Sequence, residues 1–407
     1  MKKNLLAAMI VCACALISYG SANARVSGVC QNCHTMHNSE QGKPVALTGT
    51  VSWQGGILNG DGTTSVPDEH LLKTDCIGCH SNSGGQTIVL QGGMKVPIVN
   101  NLQQPSQNTL AGGDFYWVQA ANTNGHHVLQ ANALGVKYAP GLEGSPNFND
   151  ISGSGSCGMS CHATLYDPVI LVGRTLRVLS GCQGCHYYTF HHKQFGAYSP
   201  GAAALKVQST YRFLSGHHYT ADGTGTASGT YVLGLEDPDW EQSADNTNHN
   251  VYAANGPVPS GMINSVNHSL SSFCAACHTT FHTVQADSSA VWIRHPVDVL
   301  VSTLVTDGHE SLLYNGPDGY GAGTYDPAVP VAYDDLVQTG ISDTRSNTAH
   351  DAVTATTGKI TCVSCHRTHG SPNAYMLRFN YQGVIAGNAA TAGGTGCFAC
   401  HTDKALK

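Results

Sequence analysis

The stretch "VCQNCHTMHN", residues 29–38, sets Cys30 and Cys33 two residues apart, follows them at once with His34, and adds His37 three places further on. C-x-x-C-H is the attachment unit of c-type haem, in which both thiols bond covalently to the porphyrin and the adjacent imidazole takes the iron. One short turn presents both sulfurs to a single ring edge and leaves the imidazole beneath the metal. His37 lies outside that unit and needs its own explanation.

The unit recurs at Cys76/Cys79/His80, Cys182/Cys185/His186, Cys274/Cys277/His278, Cys362/Cys365/His366 and Cys397/Cys400/His401. A seventh, "CGMSCH", spaces Cys157 and Cys161 one residue wider before His162. Of 16 cysteines, all but Cys12 and Cys14 fall in these seven pairs. With 22 histidines in 407 residues, chance would place one after all seven pairs on the order of one time in a billion. Disulfides do not require that histidine, and C-x-x-C would close a strained loop. Zinc ribbons do not need it either, and thioredoxin-like pairs sit in a βαβ pattern absent here. The expectation is seven covalently bound haem c groups.

Each haem iron has two axial positions, so seven irons want seven ligands beyond the attachment histidines. Seven of the 22 histidines close the units, which leaves 15 outside them. His37 and His369 each follow an attachment histidine by three residues, on the same side of a helical turn. Neither can swing round its own ring to the opposite face, so each is expected to ligate a neighbouring haem. The other candidates are His126 in "NGHHV", His249 in "TNHNVY", His295 in "IRHP", His350 in "TAHD", and one of His191 and His192 in "YTFHHK", with His192 the one counted. His70, His127, His217, His218, His268, His282 and His309 are then spare. No methionine is needed to complete the set, and bis-histidine ligation implies low reduction potentials.

Residues 1–24 pair Lys2 and Lys3 with a short apolar run and end in Ala22-Asn23-Ala24. That pattern reads as a secretory signal peptide, too short to span a bilayer. A lipoprotein reading through Val11-Cys12-Ala13-Cys14 is the lesser alternative, since cleavage there would strand the apolar "ALI" at the new terminus. Nothing later reads as a membrane span. Net charge is −7, which argues against nucleic acid or an anionic membrane as partner.

Charged residues make up 11% of the chain and glycines number 47, so long salt-bridged helices are not expected. Haem supplies the missing core. Residues 25–407 are expected to form one elongated seven-haem cytochrome c domain, mostly loop and turn, with a few short strands and short helices wrapped around closely packed haems. Strands are expected at "QTIVL" and "KVPIVN", and helices at the attachment units and near "ALKVQSTYRFL". The acidic run "GLEDPDWEQSAD" matches no EF-hand loop and reads as a solvated turn.

"CQNCHTMHNS", "GGDFYWV", "NGHHV", "GLEDPDW", "NHNVY", "FCAACHTTFH", "WIRHPVDV", "CVSCHRTHGSP" and "MLRFN" together resemble the extracellular multihaem c-type cytochromes with doubled C-x-x-C-H motifs of dissimilatory metal-reducing bacteria. The likeness runs in matching order over nearly all of residues 25–407. It implies bis-histidine haems in a continuous chain, export to the outer surface, and electron delivery to minerals, redox partners or partner cells. Some members of that family polymerise, with a histidine in the position of His37 ligating a haem of the adjacent subunit. Seven attachment units and the wider "CGMSCH" are departures from the filament-forming members, and a His37 bond within its own subunit is the other arrangement.

Two functions compete on sequence. One is an electron conduit with no substrate turnover, in the periplasm or outside the cell. The other is a multihaem reductase of a small nitrogen or sulfur oxyanion, which needs one iron with an open axial position. There is no C-x-x-C-K and histidines exceed iron positions, which favours the conduit. No catalytic residue is assigned.

Overall fold

A computed structural model describes residues 29–40, 43–44, 47–48, 51–54, 57–60, 63–64, 71–91, 94–106, 109–126, 128, 182–186, 189, 191–192, 211–214, 232–254, 269–275, 278, 295, 297–301, 325–334, 357–385 and 396–400. The leader at 1–24, Cys157, Cys161, His162, Cys277, His350, His401 and the seven spare histidines lie outside the described residues.

Two hairpins stand before the second and third attachment units. Leu47–Thr48 pairs with Thr63–Thr64, and Val51–Gln54 with Ile57–Gly60, both antiparallel. Ile88–Gln91 pairs with Met94–Pro97, Val89 opposite Val96. Each hairpin has Gly-Gly between its inner strands, at 55–56 and 92–93, the composition that a two-residue loop between twisted strands favours. Strands fall within "QTIVL" and "KVPIVN" as expected. Val89 and Ile98 bury together, with Val96 packed on them. A further pair, Ser81–Asn82 with Asn100–Asn101, is parallel and buried.

A three-stranded sheet orders Gly234–Leu235, Val251–Ala253 and Ala332–Tyr333, the first pair antiparallel and the second parallel. Side chains alternate across a strand with period two, and both faces here are covered. Leu233, Val251, Ala253, Val331 and Tyr333 join Tyr325, Ile360 and Ala399 on one side. Val232, Tyr252, Ala254 and Ala332 join Tyr211, Leu270 and Val363 on the other. The sheet thereby lies between the 397–400 unit on one face and the 270–278 and 362–366 units on the other.

Among the described residues the longest helix is Leu270–Ala275, and none is long and apolar enough to cross a membrane. Isolated turns this short cannot repay helix nucleation by themselves, so tertiary contacts hold them. The helix expected near "ALKVQSTYRFL" does not form where that segment is described. Tyr211–Phe213 is a single 3-10 turn with Arg212 at φ 46°. The bend has a cause. It points the Arg212 N–H at Glu236 (2.8 Å) and turns its carbonyl to His186 (2.8 Å), while the guanidinium donates to Asn250 Oδ1 at 2.7 Å.

Candidate haem sites

The attachment units share one local device. In four of them the histidine N–H donates to the carbonyl of the first cysteine: His34 to Cys30 (2.9 Å), His186 to Cys182 (2.8 Å), His278 to Cys274 (2.9 Å) and His366 to Cys362 (3.1 Å). Caps fix where the turns begin. Asp75 Oδ1 accepts from the Gly78 N–H at 2.8 Å, and Thr361 and Ser364 form a reciprocal capping box. The eleven described cysteines are free thiols, which covalent attachment to a vinyl group requires. Before attachment, burial pushes the Cys79 thiol up to about 12 and those of Cys185 and Cys365 up to about 11.

The imidazoles are held in one tautomer. His80 Nδ1 meets the Pro97 carbonyl at 2.7 Å, His186 Nδ1 that of Arg212 at 2.8 Å, and His366 Nδ1 that of Tyr375 at 2.8 Å. His126 Nδ1 meets the Thr368 carbonyl and His249 Nδ1 the Asn250 carbonyl, both at 2.7 Å. A carbonyl can only accept, so Nδ1 carries the proton in each ring and Nε2 keeps a lone pair for a metal. Burial pulls His80, His186 and His366 below the usual imidazole range, His191 down to about 4 and His369 to about 3. These rings are neutral at pH 7, as metal ligation needs.

Four attachment histidines face a second imidazole drawn from a distant part of the chain. Ring centroids are 6.0 Å apart for His34 and His192, 6.3 Å for His80 and His191, 6.2 Å for His186 and His369, and 6.1 Å for His278 and His126. A metal–imidazole bond of about 2.0 Å on each side, plus the two ring radii, gives a separation of roughly 6 Å. Rings in direct contact come much closer: His249 stacks on Tyr325 with centroids 3.5 Å apart. The four pairs therefore fit an iron held between two nitrogens. His37, described and exposed, faces no imidazole among the described residues, and none of these faces His366. His295 is described as exposed. His249 is fully buried, and its Tyr325 neighbour belongs to the cluster on which Cys400 packs.

Several described units lie close together: Cys33 and Cys76 lie near Cys79, Cys182 lies near Cys76, His126 lies near both His369 and His366, and Cys365 lies near Cys397. Sequence reading counted one of His191 and His192; both stand opposite attachment histidines. Only the doublet itself signalled this, and spacing alone does not separate two ligands from a ligand and a spare.

Residues 350–406 match the family model described as the doubled CXXCH motif. The chain is 26% identical over 418 residues to the C-type cytochrome OmcS of Geobacter sulfurreducens, covering 93% of this chain and 86% of that protein. Among solved structures it is similar to the outer membrane cytochrome S filament of Geobacter sulfurreducens, at TM-score 0.40 and 18% identity over 88% of this chain and 85% of that one. It is also similar to the OmcS nanowires from the same organism, at TM-score 0.45 and 19% identity over 95% and 94%. The chain is similar to filament-forming multihaem c-type cytochromes. The chain carries covalently bound haem c in a fold of short strands, short helical turns and much irregular chain.

Proposed function

We propose that this protein is an extracellular electron conduit carrying seven bis-histidine haem c groups, without substrate turnover, delivering electrons to metal oxides or redox partners. The observation that carries this reading is the set of four imidazole pairs at 6.0–6.3 Å, each joining an attachment histidine to a remote one. When bound, haem c supplies a one-electron iron couple. The chain's own part is to hold and tune it. The thiols anchor the ring edge, and the carbonyls of Pro97, Arg212, Tyr375 and Thr368 orient the imidazoles.

Assembly into a homopolymer would join two exposed apolar patches, one beside His37 and one beside His366. His37 stands beside Met36, which is 79% exposed, with Val29 and Leu71 also exposed. Tyr375, whose carbonyl orients His366, is exposed with Tyr381 and Ile385. His37 of one copy completes the iron held by His366 of the next. The same open face favours the second reading, a reductase that binds its oxyanion there.

Mass spectrometry and carbon monoxide titration of the reduced protein separate these. The conduit predicts seven covalent haem additions and no carbon monoxide binding in filaments. His37→Ala is expected to abolish filaments and open one iron per chain. Fewer than seven additions sinks the count, filaments that survive His37→Ala sink the bridge, and a carbon monoxide site in intact wild-type filaments favours the reductase.

A further inference from the structure

Five described histidines share a feature that His369 lacks. His80, His126, His186, His249 and His366 each set Nδ1 on a backbone carbonyl at 2.7–2.8 Å. The His369 Nδ1 is shut off from solvent and makes no hydrogen bond, although the Gly113 carbonyl lies near the ring. Phe115 packs on that ring at 4.8 Å, and the Gly112 backbone comes so close that a Cβ there would stand 3.0 Å from Nδ1. We propose that the site between His186 and His369 is an electron well: of the four paired sites it has the highest reduction potential and fills first. The inference rests on the bis-histidine haem reading above.

Two effects act in the same direction. A bond from Nδ1–H to a carbonyl draws the ring toward imidazolate and makes Nε2 a stronger donor, which favours ferric iron. A ring without that bond donates more weakly, and ferrous iron gains. The second effect is charge. Uptake of one electron turns Fe(III) into Fe(II) and lowers the charge of the site by one, with no proton moved, so a fixed positive charge nearby favours it, the more so away from water. Arg212 supplies that charge. Its carbonyl meets His186 Nδ1 at 2.8 Å, its guanidinium donates to the Tyr211 hydroxyl at 3.0 Å and to Asn250 Oδ1 at 2.7 Å, and its charge acts on both His186 and His369. Glu236 and Glu241 lie near Arg212 and temper it, yet the charge felt at the two rings is that of Arg212.

The other three pairs lack this combination. Burial and neighbouring imidazoles act on His80 and His191, with no arginine among them, and His80 has its carbonyl. In the His278 pair, His126 has its carbonyl too. In the His34 pair, His192 is exposed, and water stabilises the more positive ferric site. An electron arriving from any of these drops into the His186–His369 site and leaves it uphill, so the protein holds charge between deliveries.

The test follows low-spin ferric signals by electron paramagnetic resonance while the haem-loaded protein is reduced stepwise with dithionite. His369→Ala marks the site, because it removes that one low-spin signal. In the wild-type protein the same signal should be lost in the first half of the titration; its persistence into the second half overturns the well. Arg212→Asn removes the charge with a residue that tolerates the left-handed turn at φ 46°, and Arg212→Lys keeps the charge. The midpoint of the marked signal should shift down in Arg212→Asn and stay within error of wild type in Arg212→Lys. An unshifted midpoint in Arg212→Asn, or equal downward shifts in both variants, overturns the assignment. Where His369→Ala does not mature with its full haem content, His369→Met marks the signal instead, since methionine is also an axial ligand; where Arg212→Asn does not, the order of loss in the wild-type protein decides. A wild-type chain with no covalent haem sinks the haem reading itself, whereas a fully loaded chain that loses the marked signal late sinks only the well.

Discussion

His186 and His369 face each other with ring centroids 6.2 Å apart, although 183 positions separate them in the chain. Phe115 packs on His369 at 4.8 Å and the His369 N–H donates to the Gly112 carbonyl at 2.7 Å, so the ring is aimed by its surroundings. Replacing His369 by alanine should expose the iron of the 182–186 unit and remove a buried ring, costing about 3 kcal/mol. The holoprotein should gain one carbon monoxide equivalent and a lower unfolding temperature. A spectrum identical to wild type would show that His369 is not the ligand.

Gly113 and Gly370 hold that aim. Gly113 has φ +80°, and a Cβ there would stand 1.8 Å from the Gly370 carbonyl oxygen, which accepts from the Asp114 N–H at 3.1 Å. Gly113→Ala must push the 366–371 segment away, at a cost of about 3 kcal/mol or more. The displacement also carries His369 with it. Thermal unfolding should fall by several degrees, and an unfolding temperature within error of wild type would mean the two segments are not in contact.

Attachment residues were legible because covalent chemistry dictates their spacing, and the hairpins because Gly-Gly between β-prone runs is a local signal. The facing partners were legible only as a pool. His126 and His278 meet across 152 positions, and nothing near either residue encodes the other. The carbonyls that orient the rings leave no side-chain trace at all: Pro97, Arg212, Tyr375 and Thr368 act through backbone oxygen. Of the helix expected near 204–214, residues 211–214 are described, and there a turn with Arg212 at φ 46° supplies the His186 acceptor, so tertiary demand overrides propensity at those residues. The parallel pairing of Val251–Ala253 with Ala332–Tyr333 is invisible for the same reason as the ring pairs: strand order across about 80 residues is set by burial on both faces.

Asp114, in the "GGDFYW" segment, is buried and accepts from the Asn101 N–H at 3.1 Å, the Asn101 amide at 2.6 Å and the Tyr116 N–H at 2.8 Å. Alanine would orphan two buried donors, each costing about 1–3 kcal/mol when left unmade, and a half-buried third. Asp114→Ala is expected to lose roughly 3 kcal/mol, and Asp114→Asn less, because its amide oxygen still accepts. Denaturant unfolding with an unchanged midpoint in Asp114→Ala would contradict this network.

Asp237 makes stability fall as pH rises. Burial, then a proton shared with Asp239, pushes its carboxyl from the ordinary value of 3.8 up to about 6, while its Oδ2 accepts from the Asp239 and Glu241 N–H groups. Between these values the folded protein binds more protons than the unfolded chain, so stability has a negative slope against pH. The contribution is complete below about pH 4 and is lost as pH climbs through about 6. Asp237→Asn fixes the neutral form and removes this dependence. Relative to the variant, the wild-type unfolding temperature should drop from about pH 4 to about pH 7 and level off above. Parallel curves for the two proteins across that range would mean that Asp237 is already ionised in the folded state and that its burial is offset by the backbone donors around it.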